Sequence, residues 1–256
     1  MRKELAQYAK DKGQGRPLAW VNSITIDNID GESPGNLFGK VTARDRYGDI
    51  VLYDKPSSEA ENITPGDYIP GLNLTARVIE ASQPFSVELD LLDWDRISPN
   101  DQISKGGFEW QPSQGYDMIK ETPVSGPNGL ATVRWTVLQN ARSATISVFL
   151  IKGGDVDAWG DGSFSTDGRS RIFYYRESNN YAKIPTSDQI PFAEAKVPVI
   201  VGSTLRVHIK LSAFTSSGKD EVVSGSLTFN ATTRNWWDKQ TIKGVNGDVR
   251  VDFTWD

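Results

Sequence analysis

At 256 residues the chain holds either one large β domain or two domains of about 120 residues, and either size buries enough apolar surface to fold without staples. Its 8 Trp, 8 Tyr and 10 Phe fit an ordinary globular composition, and no apolar run approaches the roughly 18 residues of a membrane-spanning helix. A net charge of -5 argues against a sequence-independent nucleic-acid binder, and the absence of cysteine removes disulfides, thiolate catalysis and zinc–thiolate sites.

In chain order, residues 1–17 begin with the charged stretch "MRKELAQYAKDKGQGR", which lacks the apolar core of a secretory signal and predicts a short helix or a solvated arm. The expectation that follows is a cytoplasmic or leaderless protein. Then come "WVNSITI", "LTARVIE", "FSVELDL", "ATVRWTV", "ATISVFL", "LRVHIKL" and "DVRVDFTW", mostly alternating runs separated by Gly, Pro, Asn and Asp. Period two throughout predicts an all-β chain. In "FSVELDL", Phe85, Val87, Leu89 and Leu91 take the core face; in "LRVHIKL", Leu205, Val207, Ile209 and Leu211 do so, leaving Arg206, His208 and Lys210 outside. His208 is the only histidine and has no catalytic partner in the pattern.

The chain also repeats itself. "AENITPGDYIPGLNLTARVIEASQPFSVELDL" lies against "YAKIPTSDQIPFAEAKVPVIVGSTLRVHIKL", "FGKVTARDRYGDIVLYDK" against "DGSFSTDGRSRIFYYRE", "NDQISKGGFEW" against "KDEVVSGSLTF", and "NGLATVRWTV" against "NGDVRVDFTW". The division that follows is an arm at 1–17 and two antiparallel β-sandwiches in tandem, 18–139 and 140–256, meeting at a linker near Asn140–Ser143.

"DLLDWDRISPND" concentrates Asp93, Asp95 and Asp101 at the end of a strand. Crowded carboxylates repel one another, so such a loop is either well solvated or built to receive a cation. An EF-hand frame from Asp93 fails, since Ile97, Ser98 and Ser104 fall at positions 5, 6 and 12 where oxygen ligands, glycine and glutamate belong. A glycosidase pair fails too, because three acids on one loop cannot be assigned separated roles across a cleft. A calcium site needs 6 to 8 oxygens and hence a second acidic loop. "DNIDGESPGNLFGKV" offers Asp27, Asp30 and Asn36.

At these two loops the sequence resembles the C2 domains, the calcium- and phospholipid-binding β-sandwiches. "DWDRISPND" is similar to the family's third calcium loop, D-x-D with a further D six residues on, and Asp30 and Asn36, flanking Gly31 and Ser33, fit the frame of its first. Asn36 stands where the family has aspartate, and the Asp-Pro-Tyr signature is absent. In the second half Ala213 aligns with Asp93, Thr215 with Asp95 and Asp220 with Asp101, so that copy reads as degenerate, although Asp155, Asp157, Asp161 and Asp167 keep its first loop acidic.

No nucleophile with its base, phosphate-cradling loop or zinc cluster is apparent in the sequence. The expectation is a non-enzymatic, calcium-binding tandem C2-like protein whose filled site engages an anionic phospholipid membrane or another surface. The resemblance implies Ca2+ as cofactor, held by Asp30, Asn36, Asp93, Asp95 and Asp101, with Asp27 nearby. The alternative is a calcium-stiffened recognition module for a glycan or protein, a toxin or assembly subunit included, in which Trp110, Trp159, Trp236 and Trp237 supply stacking surfaces.

Overall fold

The computed structural model describes residues 14–70, 72–73, 76–97, 99–185, 188–215, 218–231 and 237–255; the helix or arm expected over the first dozen residues, and Trp236, lie outside them. Apart from two short 3-10 turns, the described regular structure is all strand. The described chain divides into two compact units, Arg16–Gln139 and Asn140–Asp256, with Gln14 and Gly15 grouping with the second.

The first unit contains β1 (Arg16–Ile29), β2 (Gly35–Asp45), β3 (Gly48–Lys55), β4 (Glu61–Ile63), β5 (Ile79–Glu80), β6 (Phe85–Asp93), β7 (Asp101–Trp110), β8 (Ile119–Gly126) and the first half of β9 (Gly129–Lys152). One antiparallel sheet runs β3-β2-β6-β7, with β4 also on β2, and the other runs β8-β9-β1-β5. Phe85, Val87, Leu89 and Leu91 are buried as their alternation requires. They join one apolar cluster with Val41 and Ala43 from their own sheet and Val21, Ile24 and Val133 from the other. Trp110 is wholly buried and stacks on Phe85 at 5.4 Å, so it belongs to the core and offers no surface for sugar stacking. Of the expected strand "LTARVIE", only Ile79 and Glu80 are in strand among the described residues.

At the far end of β2 from the β1–β2 loop, Asp45 is the centre of a buried charge network. Arg77 grips both of its carboxylate oxygens, one through Nη2 at 2.6 Å. The backbone amides of Tyr47 and Glu80 donate to it at 2.8 Å each. Arg46 pairs with the buried Glu80 at 3.1 Å and lies over the Tyr47 ring. Burial alone raises the Asp45 pKa, but Arg77 and the two amides outweigh it and hold the carboxyl below its ordinary 3.8.

In the second unit the remainder of β9 is joined by β10 (Val156–Thr166), β11 (Arg169–Arg176), β12 (Ala182–Ile184), β13 (Gln189–Ile200), β14 (Thr204–Thr215), β15 (Gly218–Asn230), β16 (Trp237–Lys243) and β17 (Asp248–Trp255). Its sheets run β11-β10-β14-β15, with β12 on β10, and β16-β17-β9, with β13 also on β9. Strand for strand this is the order of the first unit. The corresponding registers are equally specific. Gly39 pairs with Leu91 and Gly160 with Leu211, and at φ of +119° and +139° both glycines press against the neighbouring strand, where a Cβ would meet Asp90 O at 2.2 Å and Lys210 O at 2.0 Å. Gly160 is therefore the counterpart of Gly39. Matching "FGKV" to "DGSF" sets Gly39 against Gly162 instead, a slip of two residues that still keeps every side chain on its proper face, because the strand period is two.

No linker separates the units in sequence. Asn140–Ser143 lie inside β9, and Ala141, Arg142 and Ser143 are buried. The 24-residue β9 changes partners along its length: Thr136 pairs with Ile119 of β8, whereas Ala144 pairs with Val197 of β13 and Trp255 of β17. Ala141, Arg142 and Ser143 are themselves paired with Ile200, Val199 and Pro198 of β13, so the segment belongs to a ladder and is not a loop. Because the first unit's apolar cluster is drawn entirely from residues 19–137, residues 1–139 expressed alone are expected to unfold cooperatively, as followed by near-ultraviolet circular dichroism. A molten or unfolded fragment would show that this core depends on Asn140–Asp256.

Candidate metal centre

The β1–β2 loop brings Asp30 into position through backbone bonds. Asp30 and Gly31 adopt φ of +51° and +74°, a left-handed pair that a short polar residue followed by glycine accommodates. The Asp30 amide donates to Asn128 O at 2.8 Å, and the Gly31 amide to Asn28 Oδ1 at 3.0 Å. Across the sheet, β6 ends at Asp93, whose register partners are Leu37 of β2 and Asp101 of β7. The β6–β7 loop therefore leaves and returns at two aspartates, with Asp95 just beyond the first.

Asp93 is only 1 % exposed. Its Oδ1 accepts the Asn36 amide at 2.6 Å, while Oδ2 is buried with no partner among the described residues. Gly35 leaves room beside that oxygen: a Cβ there would come within 2.8 Å of it. Burial raises the pKa of Asp93, the Asn36 amide partly offsets this, and the nearby charges of Glu32 and Asp95 raise it further.

Asp101 lies beside two other carboxyls, those of Asp30 and Asp95. Its pKa is raised, first by desolvation and then by the charges of these two neighbours. Neighbouring carboxylates repel unless a proton or a cation lies between them. Asn128 adds a donor, its Nδ2 bonding Asp101 Oδ1.

Asp101 thus has Asp30 and Asp95 for neighbours, and Asp93, close to Asp95, keeps its second oxygen unsatisfied. Asn36 joins through its backbone, donating to Asp93 and accepting the Trp94 amide at 2.9 Å. Asp27 is held elsewhere, by a 2.7 Å bond from Thr132 Oγ1. Among the described residues no three acidic or histidine side chains stand in metal-holding geometry. The orphaned Oδ2 of Asp93 and the Asp101 carboxyl are oxygen donors of the kind a hard divalent cation takes. Asn128 is the contributor that spacing arguments miss. Its one sequence signal is the turn "GPNGL" between two alternating runs, which places it at the same end of the sandwich.

In the second unit Ala213 holds the place of Asp93, pairing with Asp220 as Asp93 pairs with Asp101. His208 is half-buried on the outer face of β14, with Nδ1 3.1 Å from Ser226 Oγ.

Residues 18–252 match the model of DUF6598, a domain of unknown function. The chain belongs to the DUF6598 family. No curated protein matches this DUF6598 chain. Among solved structures it is similar to the calcium-bound pair of C2 domains of extended-synaptotagmin 2, at 10 % identity, 94 % of this chain and 96 % of that one, and a TM-score of 0.29. It is also similar to the SMP domain and C2 pair of the same protein, at 8 % identity, 98 % and 59 % coverage and a TM-score of 0.30. Human GIVD cytosolic phospholipase A2 matches at 9 % identity, 95 % and 33 % coverage and a TM-score of 0.26. The DUF6598 chain spans about a third of the phospholipase chain and about three fifths of the chain that carries the SMP domain. Among the described residues no helix is long and apolar enough to cross a membrane.

Proposed function

We propose that Arg16–Gln139 is a C2-like calcium module whose filled loops engage an anionic phospholipid surface, and that the protein acts by binding and not by catalysis. The observation that carries this reading is the orphaned, buried Oδ2 of Asp93, together with the Asp101 carboxyl that has Asp30 and Asp95 beside it. Calcium supplies the counter-charge these groups lack and keeps coordination positions for phosphate oxygens. Empty, the loops repel anionic headgroups; filled, they do not. Support for surface contact comes from Ile97, 98 % exposed on the β6–β7 loop, with Trp94 partly exposed near it. Asn140–Asp256 is read as a second copy without the metal, which the Ala213 substitution at the Asp93 position supports.

The test is sedimentation with phosphatidylserine vesicles. The full chain should pellet with calcium and stay in solution with chelator, and high salt should weaken pelleting by screening the headgroups. Ile97→Asp should cut vesicle binding several-fold while leaving calcium affinity nearly intact, because Ile97 offers no ligand. Calcium binding with no vesicle association at any salt concentration rejects the membrane role.

A further inference from the structure

The second unit carries a feature that the calcium reading does not use. The outer face of its β11-β10-β14-β15 sheet is hollowed into a surface depression of about 510 Å³, lined among others by Trp159 and Tyr175. We infer that this depression is a binding site for a neutral oligosaccharide, with the two rings as stacking platforms.

Three observations carry the assignment. The first is ring presentation. Tyr175 is 62 % exposed, far more than burial in a core would leave it. Trp159 faces Ser212 across the β10–β14 register, so its neighbour on that strand is small. The indole is braced elsewhere: Phe214 packs on it at 4.5 Å, Tyr181 packs edge-on against Phe214 at 5.6 Å, and the Lys219 ammonium lies 5.6 Å from the indole centroid. A braced ring loses little conformational freedom on binding, which suits the flat C–H face of a pyranose.

The second observation is charge. The four charges that line the depression, Asp161, Glu177, Arg176 and Lys210, balance, with Lys219 a further cation beside Trp159. A phosphorylated or sulfated ligand would have to approach both carboxylates, whereas the hydroxyls of a neutral sugar donate to acids and accept from bases within one ring. The Tyr175 hydroxyl already bonds Glu177 Oε1 at 3.3 Å, and Arg176 Nη1 bonds Asn180 Oδ1 at 2.9 Å, which orients part of this polar rim before any ligand arrives. The third observation is size, since about 510 Å³ lies within the roughly 300–1,000 Å³ of small-molecule sites and exceeds what one sugar ring fills.

The experiment uses the full chain with chelator present, so that the calcium loops of the first unit take no part. An array of neutral oligosaccharides is screened first, and any positive is titrated by tryptophan fluorescence. The inference expects one neutral class to bind, and expects Trp159→Ala and Tyr175→Ala each to weaken binding at least about tenfold. His208→Ala, on the same outer face but outside the depression, should leave binding unchanged. Asp161→Asn preserves shape and removes a negative charge, and should weaken sugar binding; the ring variants should melt at the parent's temperature, so that their losses do not come from misfolding. Three results overturn the inference: no neutral sugar binding, binding indifferent to Trp159→Ala and Tyr175→Ala, or a preference for anionic ligands that Lys210→Met abolishes.

Discussion

Asp95→Asn is expected to remove most of the thermal stabilisation that calcium gives the protein. Mass action sets the scale: free calcium at a hundredfold over Kd stabilises the native state by about 2.7 kcal/mol. For a unit of this size that corresponds to a rise in melting temperature of about 10 °C. Asp95 adds negative charge near both Asp101 and Asp93, so neutralising it withdraws both a proposed ligand and part of the field that attracts the ion. Asp220→Asn, opposite Ala213, should leave the calcium response unchanged. Acidity should act against calcium, because protons occupy the same oxygens. Asp93 and Asp101 have folded pKa values above the ordinary 3.8, so the stability they add is fully present below that value and is lost as pH rises through their folded pKa values. Calcium replaces the lost proton. The calcium-induced rise in melting temperature should therefore be larger at about pH 7 than at about pH 4, and calorimetric scans with and without chelator at both pH values check this. Magnesium should do much less, since it keeps its waters and demands a tighter octahedral shell.

Arg77→Met should cost the first unit about 3 kcal/mol, read as a shift of the urea midpoint at neutral pH with an unchanged slope. The side chain of Asp45 is fully buried, and Arg77 is its only cationic partner in an ion pair among the described residues. Removing the guanidinium leaves an ionised carboxylate held by two backbone amides, and a buried charge that loses its partner is among the most costly of single changes. The pH dependence follows from the direction of the shift. The Asp45 pKa lies below 3.8 in the folded protein, so its contribution is present above that value and is lost as the pH falls through the folded pKa. In the variant that acid-labile contribution should shrink, and the double variant Asp45→Asn, Arg77→Met should recover part of the loss. A midpoint unmoved by Arg77→Met would mean that solvent reaches Asp45 freely.

Much of this architecture could be read from periodicity. Phe85, Val87, Leu89 and Leu91 alternate in sequence and are buried in the fold, and so are Leu205, Val207, Ile209 and Leu211. An alternating strand reports its own inner face, whatever its neighbours do. The spacing of Asp93, Asp95 and Asp101 was equally legible, because one loop between two paired strands fixes where its acids stand. Contributions from distant loops were not. Asn128 reaches Asp101 across 27 positions, and Thr132 draws Asp27 away across 105, contacts that no local pattern encodes. The missing linker at Asn140–Ser143 has a different cause. Asn and Ser suggest a break, but β9 is bonded to strands far away in sequence, and ladder pairing overrides local turn preference. The slip that paired Gly39 with Gly162 shows the limit of alternation itself, which fixes the face of a strand but leaves its register free by steps of two.

Whether the β1–β2 and β6–β7 loops hold calcium is decided by isothermal titration of the chelator-stripped full chain with calcium chloride, alongside Asp93→Asn, Asp101→Asn and Asp220→Asn. Saturable binding is expected for the parent protein and for Asp220→Asn, with a loss of at least about tenfold in affinity for Asp93→Asn and Asp101→Asn. No saturable heat in the parent, or binding that survives both first-unit substitutions, would contradict a calcium site in these loops.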